Sequence, residues 1–205
     1  MKEIYTIGHS THPIDEFIGL LKMHGINAVA DVRSDPYSRY NPQFNRENVQ
    51  PELKRHGIAY VFLGKELGPR SDDQGCYENG KVSYRRLART TLFQDGLKRI
   101  RQGMASYRIA LMCSEKDPVA CHRAILVCRH LRSDGIQILH ILEDGSIEEN
   151  DAVVKRLMEL LNLSDKDLFT TSDEMVERAY DIQGEKIAFV PKNHTASPEN
   201  ERETI

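Results

Sequence analysis

No apolar stretch of this chain approaches the roughly 18 residues that a membrane-crossing helix needs. The opening residues, Met1-Lys2-Glu3-Ile4-Tyr5-Thr6-Ile7-Gly8-His9, lack the basic-then-apolar order of a secretory leader. Both absences point to a cytoplasmic protein with no membrane partner. Cysteine is scarce: Cys76, Cys113, Cys121 and Cys128 are too few and too irregularly spaced for a disulfide framework in 205 residues. Reduced thiols are expected. There is no Cys-x-x-Cys, which argues against a structural zinc knuckle. There is also no Gly-x-Gly-x-x-Gly and no Walker-type loop, so nicotinamide and P-loop nucleotide readings lose their support and no cofactor is expected. The Cys-x5-Arg spacing of tyrosine phosphatases fails as well, since Val119 stands where the arginine would follow Cys113. Internal repeats, helix-turn-helix and zinc-finger patterns are absent too.

What is present begins with an uneven charge. The net value is −3, but residues 1–142 carry 21 basic and 15 acidic side chains, and the remainder 7 and 16. A mildly basic body is thus joined to an acidic end section, which suggests an anionic partner. With 40% hydrophobic residues and a mean hydropathy of −0.52, the composition is that of a soluble globular protein.

Short apolar runs at residues 4–7, 28–32, 58–63, 107–113 and 136–142 read as strands. Amphipathic stretches at 13–25, 47–56, 83–102 and 119–133 read as helices between them. This alternation predicts a three-layer α/β domain with a mainly parallel five-stranded sheet and helices on both faces. Residues 64–82 read as a long polar loop, and 34–45 as a segment too broken for a helix. The expected organisation is an α/β domain over residues 1–145, a helical appendage over 146–190 with helices at 147–161 and 173–183, and a disordered tail from 191.

In parallel α/β sheets, ligands sit beyond the carboxyl ends of the strands. Those ends carry Gly8-His9-Ser10, Asp31-Val32-Arg33, Gly64 to Gly68, and Cys113-Ser114-Glu115 leading to Cys121-His122-Arg123. Asp117-Pro118 suits a helix start, which would put Cys121 near an N-terminus, where amides and cations favour a thiolate. Glu115 is a candidate nucleophile or general base. Cys121 is a candidate nucleophile, and His9, His122 and Asp31 are candidate proton carriers. Ser10, Arg33, Arg39, Phe44 and Arg123 are candidate substrate contacts, although Asp31 and Arg33 could simply pair. A metal site can be drawn from His9, Asp31, Cys121 and His122, but no spacing among them is diagnostic, and no metal is expected.

The basic excess concentrates at Lys81, Arg85, Arg86, Arg89, Lys98, Arg99 and Arg101, with Asp95 the only acid between 81 and 101. Arg85, Arg86 and Arg89 are the candidate nucleic-acid contacts. Tyr37, Arg39, Tyr40 and Phe44 add the aromatic and cationic groups that hold single strands or extruded bases.

The strand-end motifs, the Pro36-to-Phe44 loop and Leu67-Gly68 together resemble the prokaryotic domain-of-unknown-function family numbered 488. The similarity extends through Leu168-Phe169 and Ala179-Tyr180, covering about residues 3 to 190. Pro69 stands where that family typically has a second glycine. The resemblance implies a compact α/β fold with a shared strand-end site, and it supplies no substrate. The favoured expectation is an enzyme, hydrolase or transferase, acting on an anionic small molecule or nucleic acid. A non-catalytic nucleic-acid or ligand-binding module is the alternative, and a metal-dependent enzyme the third. Oligomeric state is not legible.

Overall fold

In a computed structural model, the described residues are 2–132, 135–163 and 171–191. The expected tail, apart from Pro191, and Leu168-Phe169 lie outside them. The five expected strands are all present: β1 (Glu3–Gly8), β2 (Ala28–Asp31), β3 (Ala59–Phe62), β6 (Ile109–Cys113) and β7 (Gln137–Ile141). They pair in parallel in the order β3-β2-β6-β1-β7. A sixth strand, β8 (Ile147–Glu149), adds antiparallel to β7. The helix expected at 147–161 takes in those residues. The helix begins instead at Asn150 and runs to Leu160 (α7), because Ile147 to Glu149 find their backbone partners on the sheet edge.

Alternation along the strands creates two cores. Ile4, Ala28, Ala30, Ile109, Leu111 and Ile138 face one side, while Tyr5, Ile7, Val29, Ala110, Met112 and Leu139 face the other. Over the second face lie α1 (Ile14–Met23) and α2 (Arg46–Arg55), through Phe17, Leu21, Val49 and Leu53. Over the first lie α5 (Thr91–Gly103), the π-helical turn Arg123–Cys128 with its continuation α6 (Arg129–Arg132), α7 and α8 (Ser172–Ile187). The result is a three-layer α/β sandwich. Val153, Leu157, Met175, Ala179 and Tyr180 of the acidic end section are continuous with the core of the sheet.

Two further segments differ from expectation. The polar loop after β3 contains a helical turn, α3 (Gly64–Leu67), and a small hairpin, β4 (Tyr77–Glu78) with β5 (Lys81–Val82). Buried Cys76 and Val82 tether it to the core. The single helix expected at 83–102 is two, α4 (Tyr84–Leu87) and α5, broken where Thr90 accepts from the Phe93 amide as an N-cap and donates to the Leu87 carbonyl.

The connections leaving β1 and β2 cross one face, and those leaving β3 and β6 cross the other. β6 lies between β1 and β2, so the chain diverges around its carboxyl end, the arrangement that opens a ligand crevice.

Candidate functional site

Backbone contact closes one side of β6 and leaves the other open. The His9 amide bonds the Cys113 carbonyl at 2.8 Å and the Ser10 amide bonds that of Ser114 at 3.0 Å, sealing the β1 side. Gly8 permits this approach, since a Cβ there would lie 1.9 Å from the Glu115 carbonyl oxygen. Toward β2 a crevice of about 280 Å³ remains. Its floor and rim include Arg33, Arg70, Glu115, Cys113, Cys121 and His122. Four of the sequence-derived candidates therefore meet here: Arg33, Glu115, Cys121 and His122.

Cys121 reaches the crevice from the head of a helix. Asp117 caps the turn Pro118–Ala120 by accepting from the Val119 amide, so the expected cap-and-proline start serves this turn rather than a long helix. Cys121 itself is extended, and its carbonyl accepts from the Ala124 and Ile125 amides that open the next helix. The Nδ1 of His122 lies 3.5 Å from the Cys113 sulfur and 3.9 Å from that of Cys121. Its Nε2 lies 2.9 Å from the Val32 carbonyl oxygen. A carbonyl only accepts, so Nε2 carries the proton and the Nδ1 lone pair faces the sulfurs. Burial works against a charge on Cys121. The Cys113 thiol, which donates toward it, and the Arg123 charge outweigh it and hold the Cys121 thiol well below its usual range. Cys113 moves the opposite way, raised by its hydrogen bond to Cys121 and by burial. A negative charge on the pair is thus favoured at Cys121 over Cys113. Cys128, deeper in the helix, is pushed up to about 12 by burial.

Arg33 forms the wall of the crevice nearest α2. Its Nε and Nη2 grip the Asp31 carboxylate at 2.9 and 2.6 Å, Nη2 also donates to the Phe44 carbonyl at 2.9 Å, and Nη1 donates to His9 Nε2 at 3.1 Å. Tyr60 completes Asp31 with a 2.8 Å bond. Because His9 Nε2 accepts, its proton sits on Nδ1, which donates to the Ser10 carbonyl at 2.9 Å. Burial and the Arg33 charge lower the His9 pKa to about 4, so the ring is neutral. Arg33 has five N–H groups, four of them used, which leaves one Nη1 hydrogen without an acceptor among the described residues.

Several candidates stand elsewhere. His9, Asp31 and Phe44 do not line the crevice. Phe44 is fully buried, stacked on His9 at 4.2 Å and edge-on to Phe17, so it is core rather than a substrate platform. Ser10 is engaged through its backbone, with φ at 47°. Arg39 is exposed, donates to the Tyr40 hydroxyl and is not among the residues that line the crevice. Arg123 is 0% exposed. Its guanidinium donates to the Glu115 carbonyl, to that of Lys116 at 3.0 Å and to Thr6 Oγ1 at 3.2 Å. It clamps the loop that carries Glu115 instead of meeting a substrate. Arg86 is occupied by the Tyr77 carbonyl and Glu78. Arg85 and Arg89 are exposed and line a separate depression beside Arg129 and His130.

The sequence reading missed Arg70, Ser34 and Tyr84, all on the crevice. Arg70 lies in the long polar loop rich in Gly, Asp and Arg, and only its position directly after Leu67-Gly68-Pro69 could have marked it individually. Missed too was a buried polar chain under Arg123. Thr6 accepts from Arg123 and bonds His140 Nδ1 at 2.8 Å, His140 Nε2 bonds Asn150 at 3.3 Å, and Asn150 reaches the Tyr180 hydroxyl at 3.5 Å.

Among the described residues, no helix is long and apolar enough to cross a membrane. Searches of curated proteins and of solved structures give no match. One family model does match, over residues 13–129, a narrower span than the resemblance had suggested; Gly8-His9-Ser10 and Ala179-Tyr180 fall outside it. The matched region holds the crevice residues from Arg33 to His122 and spans more than half of the 205 residues. The chain belongs to the family described as Domain of unknown function DUF488.

Proposed function

We propose that this protein is an enzyme acting on an anionic substrate, a nucleotide or nucleic acid, in the crevice between the ends of β2 and β6. The observation that carries this reading is the convergence, on one crevice at a point of diverging connections, of two cations (Arg33 and Arg70), an exposed carboxylate (Glu115) and a buried cluster of two thiols and an imidazole. Arg70 and the remaining Nη1 hydrogen of Arg33 hold the anion. Glu115 moves the proton. The Cys113–Cys121–His122 cluster is the reactive centre beneath them. His9 and Asp31 position Arg33, and Arg123 positions the loop that bears Glu115. Exposed Tyr37 and Tyr40, on the chain leaving the rim at Asp35, are suited to stacking against bases.

The test is a structure soaked with a nucleotide library, followed by equilibrium binding of the ligand found. The expected result is density against Arg70 and Arg33, and at least tenfold weaker binding in Arg70→Ala. Glu115→Gln is expected to bind normally and to turn over far more slowly. Ligand bound only beside Arg85 and Arg89, with the crevice empty, would sink the assignment.

A further inference from the structure

The three ligand-type side chains at the base of the crevice have an arrangement that thiol chemistry alone does not require. The sulfurs of Cys113 and Cys121 and a ring nitrogen of His122 lie within 4.8 Å of one another, and all three residues are buried. Zinc bonds sulfur at about 2.3 Å and imidazole at about 2.0–2.1 Å, so the sulfur-to-nitrogen edge of a tetrahedral site is about 3.6 Å. The two such edges here are 3.5 and 3.9 Å. For a cation seated over the triangle, these two edges need to change by only tenths of an ångström. The imidazole is also oriented as a ligand is. Its Nε2 proton is spent on the Val32 carbonyl at 2.9 Å, which turns the Nδ1 lone pair inward and fixes the tautomer.

We propose that Cys113, Cys121 and His122 bind a thiophilic divalent cation of the zinc class, with its fourth coordination position open to the crevice. This deepens the reading above and rests on it, because it names the reactive centre of the same site. The ligands stand on three differently anchored pieces of backbone: the end of β6, the exit of the capped Pro118–Ala120 turn, and the head of the following helix. Such anchoring holds a site without a flexible loop. The chain spacing, Cys-x7-Cys-His, has none of the regularity of a zinc knuckle, because the sheet rather than a local turn brings the first cysteine to the other two. That is why spacing alone did not reveal it.

Among the described residues no fourth cysteine, histidine or carboxylate joins the cluster. Closed four-ligand sets are structural, whereas three protein ligands and an open position are the pattern of catalytic zinc. The open side is the crevice, where Glu115, Arg33 and Arg70 stand. Water in the fourth position ionises near neutral pH. Its proton passes to the Glu115 carboxylate, and the hydroxide faces the anion held by the two arginines. The cation binds both cysteines as thiolates, and the thiol protons it displaces go to solvent.

The experiment uses the full chain, purified under reducing conditions without chelator. Elemental analysis should find about one equivalent of zinc per chain. After stripping, cobalt(II) alone should bind with a thiolate-to-metal charge-transfer band and the visible bands of tetrahedral coordination. Cys121→Ser and His122→Gln should lose stoichiometric binding, while Cys76→Ser and Cys128→Ser keep it. The surface trio Asp15, Glu52 (half-buried) and His56 has no sulfur, so cobalt held there would give no thiolate charge-transfer band. The cobalt spectrum of the unmodified chain decides the matter even if a variant fails to fold. Metal-free protein that takes up no cobalt, or a charge-transfer band that survives Cys121→Ser, overturns the cation site. If such metal-free protein is alkylated at Cys121 well below the usual thiol range while nucleotide still binds at Arg70, the crevice reading stands with Cys121 as its nucleophile. If zinc is bound but no anion enters the crevice, the cation site stands and the substrate reading falls.

Discussion

Two buried arginines flank the end of β6, and they are compensated in opposite ways. Arg33, on the α1–α2 face, has a carboxylate of its own: Asp31 grips it through two bonds, with His9 and the Phe44 carbonyl taking further donors. Arg123, on the α5–α8 face, is more deeply buried, and its hydrogen bonds go to two backbone carbonyls and a hydroxyl. A guanidinium stays charged in any protein, and an uncompensated buried charge is costly. The compensation for Arg123 comes from the Cys121 side of the cluster, and more distantly from Asp117. One arginine is therefore neutralised locally and keeps an edge on the crevice. The other lends its charge to the thiols and its fork to the loop. Two similar motifs, Asp-Val-Arg at the end of β2 and Cys-His-Arg at the head of the helix after β6, do different work.

The sharpest way to break this comparison is to remove each arginine's partner set. Arg123→Leu strands the Glu115 and Lys116 carbonyls and Thr6, and it is expected to cost about 4 kcal/mol of unfolding free energy in urea titration. The Cys121 alkylation pKa of the metal-free protein should rise. Arg123→Lys keeps the charge but not the fork, and should fall between. A cost below about 1 kcal/mol would show that Arg123 is not the clamp of the 115–116 loop. Asp31→Asn comes next, at about 3 kcal/mol, because it leaves the Arg33 charge buried and unpaired. Here rescue is expected: adding Arg33→Met removes the orphaned charge, so the double variant should regain much of the loss. Among the described residues no carboxylate bonds Arg123, so no partner removal should rescue Arg123→Leu, and that asymmetry is the test of the comparison.

Each arginine also carries a neutral histidine, which makes the pair sensitive to acid. Burial and the Arg33 charge lower His9 to about 4, and burial and Arg123 lower His140 to about 4. Unfolded, both return to about 6.5 and bind protons that the folded chain refuses. Their contribution is thus fully present above pH 6.5 and is lost as pH falls toward 4. At pH 5 each accounts for about 2 kcal/mol of lost stability. His9→Gln and His140→Gln should each flatten the urea-midpoint profile between pH 6.5 and 4.5. An unchanged slope in both would mean that neither ring is held neutral.

How much of this was legible in the sequence follows from what a sequence encodes locally. Apolar runs marked all five parallel strands, because strands buried on both faces read as continuous hydrophobic segments. β8 escaped, since Ile147 to Glu149 is a three-residue edge with one apolar side chain. The break before Thr90 escaped because a cap inside a basic helical pattern resembles any other polar residue. At the site, chain order places Arg33, Glu115, Cys121 and His122 at one edge, and all four line one crevice. What chain order does not carry is depth. His9 and Asp31 stand at the strand ends, and Phe44 and Arg123 follow farther along the chain, yet all four are buried and off the crevice lining, while Arg70 arrives from a loop with no periodicity. The alliance of Cys113 with Cys121 and His122 is likewise tertiary, made by the parallel pairing that sets β6 between β1 and β2.

The smallest stability effect belongs to a third kind of arginine. Arg85 and Arg89 are exposed, beside a depression on α4 and α6 rather than on the crevice. With no buried acceptor depending on them, Arg85→Glu/Arg89→Glu should move the unfolding free energy by no more than about 0.5 kcal/mol. Their effect is expected on a long anion instead. If a single strand runs from the crevice across α4, where Tyr84 lines both the crevice and the neighbouring groove, reversing the two charges should weaken oligonucleotide binding. It should also make the slope of log affinity against log salt shallower by about one or two units, while mononucleotide binding at Arg70 is unchanged. Equal loss for both ligands would mean that charge reversal acts through the general field of the body. No loss for either would make this face plain solvated helix and confine the substrate to the crevice.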